Sequence, residues 1–437
     1  ANAGANAGAN AGANAEGWHP MLTRMALKSL RHRGGSVVLT VVSIAVAVFL
    51  LLGVEKIRNE TRKSFLNTLS GTDLIVGPRA GSVQLLLYSV FRIGHPSNSL
   101  SWDAYQQISR HPYVDWSIPL SLGDSHRGFR VLGTNEAYFH HYRYGPGTRL
   151  VAAKGKLGLA QFEAVLGDAV ASELGYETGQ TLIVAHGTGE GSFSEHDDQP
   201  FRIVGILEPT GTPVDRTVHV SLGGIEAIHA SWESGTRRSP GLDASEDSEP
   251  AAEPAHISAF LLGVKRPVHT LQIQRAINEY QREPLSAILP GVALQELWSL
   301  VGVAERALLA VSALVVLTGL IGMMTVILSG LNERRREMAI LRSVGARPRH
   351  VFLLLMTESA LLGTVGAVSG TLLLNLAMVA GAPYLREASG LHIAAGAPGY
   401  RELLVIGAVM VTSLLLGLIP AWRAYRNSLA DGLSIRL

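Results

Sequence analysis

Residues 307–331 run 25 positions without a charged side chain, a pattern that a water-soluble fold has little use for. At about 1.5 Å of rise per residue they make a helix of roughly 38 Å, enough to cross a hydrocarbon core of about 30 Å. Three further segments repeat the pattern. Residues 36–54 and 403–421 are each 19 uncharged positions, and residues 351–380 are interrupted only by Glu358. Four membrane spans are therefore expected, with a soluble stretch of some 250 residues (55–306) between the first and the second. Composition agrees: 47% of residues are hydrophobic and 16% charged, against about 25% charged in soluble proteins. A net charge of +2 and this shortage of charge exclude a disordered chain and argue against a nucleic-acid partner. The absence of cysteine excludes disulfides, thiolate metal sites and cysteine catalysis.

Lysine and arginine in the short connections set the orientation. Residues 21–35 carry Arg24, Lys28, Arg31 and Arg33 with no acid, and are expected to form a cytoplasmic amphipathic helix. The connection 332–350 carries Arg334, Arg335, Arg336, Arg342, Arg347 and Arg349, and the tail 422–437 carries Arg423, Arg426 and Arg436. The loop 381–402 balances Arg386 and Arg401 against Glu387 and Glu402. Both termini and 332–350 are thus expected in the cytoplasm, with 55–306 and 381–402 outside it. Residues 1–20 open on a repeated Ala-Asn-Ala-Gly with no face to bury; they read as a linker or unassigned segment, with the natural start expected at or near Met21.

The large loop reads as a folded α+β domain with two subdomains. Strand-like runs are Asp73–Val76, Phe129–Leu132, Thr181–Ala185, Phe201–Leu207 and Thr217–Ser221. Helices are expected over Ser101–Arg110, with Ser101 as N-cap, and over Ala164–Leu174, Ile225–Trp232 and Val268–Arg282. The Pro-, Ser- and Glu-rich residues 234–254 read as an insertion loop. From Val292 the sequence turns helical and runs into the second span, so one continuous lever-like helix is expected there.

No G-x-x-x-x-G-K-[ST] occurs, so these residues hold no P-loop, and no H-E-x-x-H or G-x-S-x-G marks a hydrolase. Gly187–Ser192 (GTGEGS) reads as a hairpin tip. Eleven of the 15 histidines fall in 55–306. His140, His141, His196, Asp197 and Asp198 are the candidate metal ligands by residue type, but the histidines as a set lack ligand spacing and read as dispersed core and surface residues, so no metal is expected. Glu358 lies about two turns inside the third span; either it is functional, or it pairs with Arg342 or Arg347 near the cytoplasmic interface, the reading the sequence favours. Gly363, Gly366 and Gly370 in the same span read as helix-packing positions.

The segment Leu331–His350, LNERRREMAILRSVGARPRH, opens on charge, places Met338, Ile340, Leu341 and Val344 on one face, and closes with Gly345 before Pro348. A short amphipathic cytoplasmic helix of this kind suits docking on a partner; an interfacial helix is the bland alternative.

At this point the chain resembles the FtsX/MacB-like (type VII) permease family of ABC transporters. The matching residues are MALKSLRHRGGSVVLTVVSIAVAV, DLIVGPRAGSVQLLLYSVF, NERRREMAILRSVGARPRHV with ESALLGTVGAVSG, and GLIPAWRAYRNSLADGL. The resemblance implies four transmembrane helices with a MacB-like periplasmic core domain between helices 1 and 2, in a bacterial inner membrane. It implies a permease without catalysis of its own and with no cofactor in this chain, paired with a second permease copy and with a cytoplasmic P-loop ATPase dimer that binds ATP and Mg. Residues 332–350 would contain the coupling helix, with Glu333, Arg335, Glu337, Arg342 and Gly345 as the residues of that contact. The implied activity is mechanotransmission, in which ATP-driven motion rearranges the outer domain to move periplasmic or outer-leaflet cargo, with a periplasmic adaptor or lipoprotein as a further partner and lipid around the spans. The alternative is a signalling module that activates an extracytoplasmic enzyme. A secondary transporter is disfavoured, because there is no inverted repeat and only one intramembrane acid.

Overall fold

A computed structural model describes residues 34–186, 199–230, 253–333, 346–389 and 399–430. The described residues fall into two compact units, one taking in those of 34–59, 303–382 and 399–430 and the other those of 60–302 and 383–389.

The first unit is helical. Its helices belong to α1 (Gly34–Asn67), α8 (Pro290–Glu333), α9 (Pro348–Ser389) and α10 (Tyr400–Ala430), and each is long and apolar enough to cross a membrane. All four outlast the uncharged runs that foretold them: α1 continues 13 residues past residue 54, α8 begins 17 before residue 307, α9 extends into 381–402 and α10 into the tail. Charge ends an apolar run without ending a helix, since Glu, Lys and Arg are good helix formers. Leu39, Leu314, Leu372 and Leu376 are each more than 60% exposed, an arrangement that only an apolar surrounding makes favourable.

The second unit is built on an 11-stranded mixed sheet. Its strands are β1 (Leu74–Pro78), β2 (Val114–His126), β3 (Phe129–Thr134), β4 (Ala152–Gly155), β5 (Glu163–Leu166), β6 (Thr181–Leu182), β7 (Ala185–His186), β8 (Phe201–Leu207), β9 (Thr217–Ser221), β10 (Ala259–Val264) and β11 (Leu285–Ile288). The order is β11-β1-β10-β2-β3-β9-β5-β8-β4, with β7 also on β2 and β6 also on β8. The pairs β3/β9 and β5/β8 are parallel and the rest antiparallel. The long strand β2 joins the two halves: Val114–Leu120 pair with β10, and residues from Ser121 to His126 pair with β3.

The period-2 alternation of side chains sorts this unit into separate cores. On β1, Leu74 and Val76 enter one cluster with Phe260, Leu262, Ile273 and Ile277, while Ile75 enters another with Leu85, Ile118 and Leu132. On β9, Val218 and Val220 face a third cluster with Phe201, Val170 and Ile228. Covering helices are α2 (Ser82–Ser89), α3 (Trp102–Ser109), α4 (Ala137–His141), α5 (Asp168–Leu174), α6 (Leu222–Ala230) and α7 (Thr270–Asn278). Ser101 caps α3 as its sequence foretells, its hydroxyl accepting from the Ala104 N–H at 3.2 Å.

Two expectations are corrected. The helix foretold over Ala164–Leu174 begins only at Asp168, because Glu163–Leu166 form the central strand β5 between β8 and β9. Gly167 makes the corner: a Cβ there would lie 2.3 Å from the carbonyl oxygens of Val214 and Asp215, so no larger residue fits the approach. Thr181–Ala185 likewise is not one strand but the short pieces β6 and β7.

Candidate coupling and membrane sites

The connection between α8 and α9 is where the sequence places coupling. The backbone of Glu333 ends α8; Arg335, Glu337, Arg342 and Gly345 lie outside the described residues. On the far side, α9 starts at Pro348, a residue suited to a first helical turn. The Arg347 N–H donates to His350 Nδ1 at 3.0 Å, and the His350 N–H donates back to the Arg347 carbonyl at 2.8 Å, fixing the entry to α9.

Within the helical unit, small residues on α9 set which helices touch. A Cβ on Gly363 would meet the Ser413 hydroxyl of α10 at 2.2 Å, and one on Gly417 of α10 would meet the Ser359 hydroxyl at 2.4 Å. Farther along, a Cβ on Gly366 would lie 2.6 Å from Ile44, and one on Gly370 would lie 2.5 Å from the Ala45 carbonyl oxygen of α1. The glycines foretold as packing positions thus let α9 lie close to α10 on one side and to α1 on the other, the close approach that association in lipid relies on. Ser359 and Ser413 are buried, with their hydroxyls donating to the Leu355 and Met410 carbonyls of their own helices.

Glu358 is 3% exposed beside Ser359. Of its two foretold arginine partners, Arg342 lies outside the described residues and Arg347 is exposed at the start of α9. A pair that the sequence reading missed lies on other elements: Lys56 of α1 and Glu402 of α10 approach to 3.6 Å, and both are largely buried. Glu55 beside it is gripped by Arg58 at 3.2 Å and Asn59 at 3.1 Å. Its signal was available, since Glu55 and Lys56 immediately follow the uncharged run 36–54.

Among the described residues, no group of three or more His, Asp or Glu side chains converges to hold a metal. His140 and His141 end α4 on the surface, and the His141 ring stacks on Trp116 with centroids 5.3 Å apart. His196, Asp197, Asp198 and the GTGEGS run lie outside the described residues, as does most of 234–254.

The alternation that points Val218 and Val220 one way points His219 the other, into a fully buried aromatic cluster with Tyr138 and Phe139. Its Nδ1–H donates to the Val165 carbonyl at 3.2 Å, which leaves Nε2 without a hydrogen-bond partner among the described residues. Burial, with the nearby Arg92 charge, pushes the imidazole down to about 3, while burial pushes the Tyr138 phenol up to about 12. Protonation would place a second donor on Nε2 with nothing described to accept it. The folded pKa lies below the ordinary value of about 6.5, so the unfolded chain takes up the proton first as pH falls. Stability is full above about pH 6.5 and declines toward the folded pKa, by about 2 kcal/mol at pH 5. H219Q, which keeps a donor for Val165, is therefore expected to flatten the loss of stability between pH 7.5 and pH 5. Chemical unfolding of the full chain in detergent reads this, and equal losses in both proteins would show that His219 is not the group responsible.

A family model described as the FtsX-like permease C-terminal matches residues 309–429, and one described as the MacB-like periplasmic core domain matches residues 37–279, more than half of the chain. The chain belongs to the FtsX/MacB-like permease family. This ABC-transporter permease is a membrane protein whose mixed-sheet domain, the family's periplasmic core domain, lies between its first apolar helix and the other three. It is 27% identical over 267 residues to the pyoverdine export ATP-binding/permease protein PvdT of Pseudomonas syringae pv. tomato, covering 60% of this chain and 37% of that protein. It is 28% identical over 170 residues to the macrolide export ATP-binding/permease protein MacB of Wolinella succinogenes, covering 37% of this chain and 24% of that one. The permease thus matches well under half the length of these relatives. The solved periplasmic region of MacB from Actinobacillus actinomycetemcomitans aligns over 53% of this chain and 94% of its own, with 11% identity and a TM-score of 0.33, too low to add to the family match.

Proposed function

We propose that this permease transmits ATP-driven motion across a bacterial inner membrane to its periplasmic core domain, and so moves or extracts periplasmic or outer-leaflet cargo. The observation that carries the reading is α8, one helix of 44 residues from Pro290 to Glu333 with no proline after its first position. At about 1.5 Å per residue it is roughly 66 Å long, twice what a bilayer core needs. One end is at the coupling connection and the other in the sequence of the core domain, so displacement at Glu333 has an unbroken path toward Pro290. ATP is bound and hydrolysed outside these 437 residues, by a cytoplasmic P-loop ATPase dimer docked on the coupling segment. A second permease copy completes the membrane part, and the arginine-rich segments 21–35, 332–350 and 422–437 face the cytoplasm. The names of PvdT and MacB support export as the class of activity.

Purification of the permease from its native membrane in mild detergent, with mass spectrometry of what it retains, tests this directly. Recovery of a P-loop ATPase, with a periplasmic adaptor or lipoprotein, is the expected result. Recovery of neither would overturn the coupling reading.

A further inference from the structure

The start of α9 and the last turns of α10 enclose an open cleft of about 1090 Å³. Three guanidinium groups line it, those of Arg349, Arg423 and Arg426, and among the described residues none of them is ion-paired with a carboxylate. Bringing three like charges to one cleft is unfavourable unless an anion shares it. Along α10 the lining changes in order: Leu418 and Ile419, then Trp422, then Arg423 and Arg426. On α9 the same order runs in the opposite chain direction, from Arg349 to Phe352 one turn deeper into the helix. Trp422 is 61% exposed and Ile419 51% exposed, so neither side chain is spent on packing within the helical unit. The Trp422 ring lies 6.0 Å from that of Tyr425, a stacked pair of the kind that sits at a membrane–water interface.

From Leu418 to Arg426 the helix rises about 12 Å, which is the scale of the passage from acyl chain to headgroup. A phospholipid presents the matching sequence of chemistry: hydrocarbon, glycerol ester, phosphate. We propose that this cleft binds an anionic glycerophospholipid, its phosphate held by Arg349, Arg423 and Arg426 and its upper acyl carbons lying on Phe352, Ile419 and Trp422. Arginine suits the role because its planar fork takes two phosphate oxygens at once. Free phosphate would use the cationic end only and leave the apolar floor in water. The inference rests on the membrane-spanning reading of α9 and α10, and not on coupling to an ATPase.

The test is lipid retention by the full chain in mild detergent, read by native mass spectrometry without any ATPase present. Phosphatidylglycerol is expected to be retained about tenfold more strongly than phosphatidylcholine, and R423Q/R426Q to remove that preference. R423K/R426K, which keeps charge without the fork, is expected to keep part of it, and W422A to weaken both lipids alike. The unfolding temperature of each variant in lipid-free detergent checks its fold; should R423Q/R426Q prove unfolded, R349Q carries the same expectation. Equal retention of the two lipids by the unaltered chain, or an undiminished preference in a folded R423Q/R426Q, would overturn the proposal. So would displacement of phosphatidylglycerol by millimolar inorganic phosphate, which would mark a site for the free anion. Failure of ATPase recovery with the lipid preference intact would count against coupling alone.

Discussion

On the proposed coupling role, the double variant E333Q/R335Q is expected to weaken binding of a cytoplasmic P-loop ATPase roughly thirty-fold while leaving the permease folded. Truncating two contacts at the centre of a docking surface costs about 1 kcal/mol or more each, and about 2 kcal/mol together corresponds to that factor. Neither residue belongs to an uncharged span, and Glu333 is the last residue of α8. The measurement is the affinity of purified permease for the ATPase in detergent, with the permease's unfolding temperature as control. ATP hydrolysis by the ATPase alone is expected to continue, while its stimulation by the permease falls in parallel with binding. An unchanged affinity would remove Glu333 and Arg335 from the contact, and a lowered unfolding temperature would assign them to the fold.

Gly370→Leu is expected to be the most damaging single change in the membrane unit. A Cβ at this position would lie 2.5 Å from the Ala45 carbonyl oxygen and 2.9 Å from the Val48 Cβ, so the obstacle is backbone of α1 as well as side chain. Overpacking a core that can adjust costs about 1–3 kcal/mol, and a helix backbone adjusts less than a side chain, so about 3 kcal/mol or more is expected. Gly407→Leu is the matched control, because a Cβ on Gly407 would meet nothing within 4 Å. There the gain in helix propensity over glycine should leave stability level or slightly raised. Thermal unfolding of both variants in the same detergent separates them; equal stability would show that α1 and α9 do not touch along this seam.

What could be read in advance follows from how local each signal is. The spans were legible because a bilayer imposes one length and one polarity on every crossing segment, and no tertiary partner is needed to see that. Strands β8 and β9 were legible to the residue, since FRIVGIL and TVHVS are dense in β-branched and apolar side chains. Strand β2 went unread: VDWSIPLSLGDSH contains proline, glycine and two acids, and it is a strand because β10 and β3 claim it from either side. Ala164–Leu174 misled because AVLGDAVASEL carries helix-forming residues on both sides of Gly167, and only the approach of Val214 and Asp215 makes that glycine a corner. At the candidate sites, the glycines of α9 were identified by spacing, whereas the Lys56–Glu402 pair joins residues far apart in sequence and needed the fold to bring them together. The arginines of the α9/α10 cleft were visible as positive charge beside a span; that they share one cleft with Trp422 was not.

Strand β2 also sets how the core domain can come apart. Its hand-over from β10 to β3 falls between Leu120 and Ser121, so neither half of the sheet owns a boundary at which it could fray alone. Backbone amides flanking that hand-over should report a single large opening event, and in hydrogen exchange the two halves should behave as one foldon with one protection ceiling. For a domain that, in the proposed mechanism, receives motion through α8, this means displacement as a whole before unravelling.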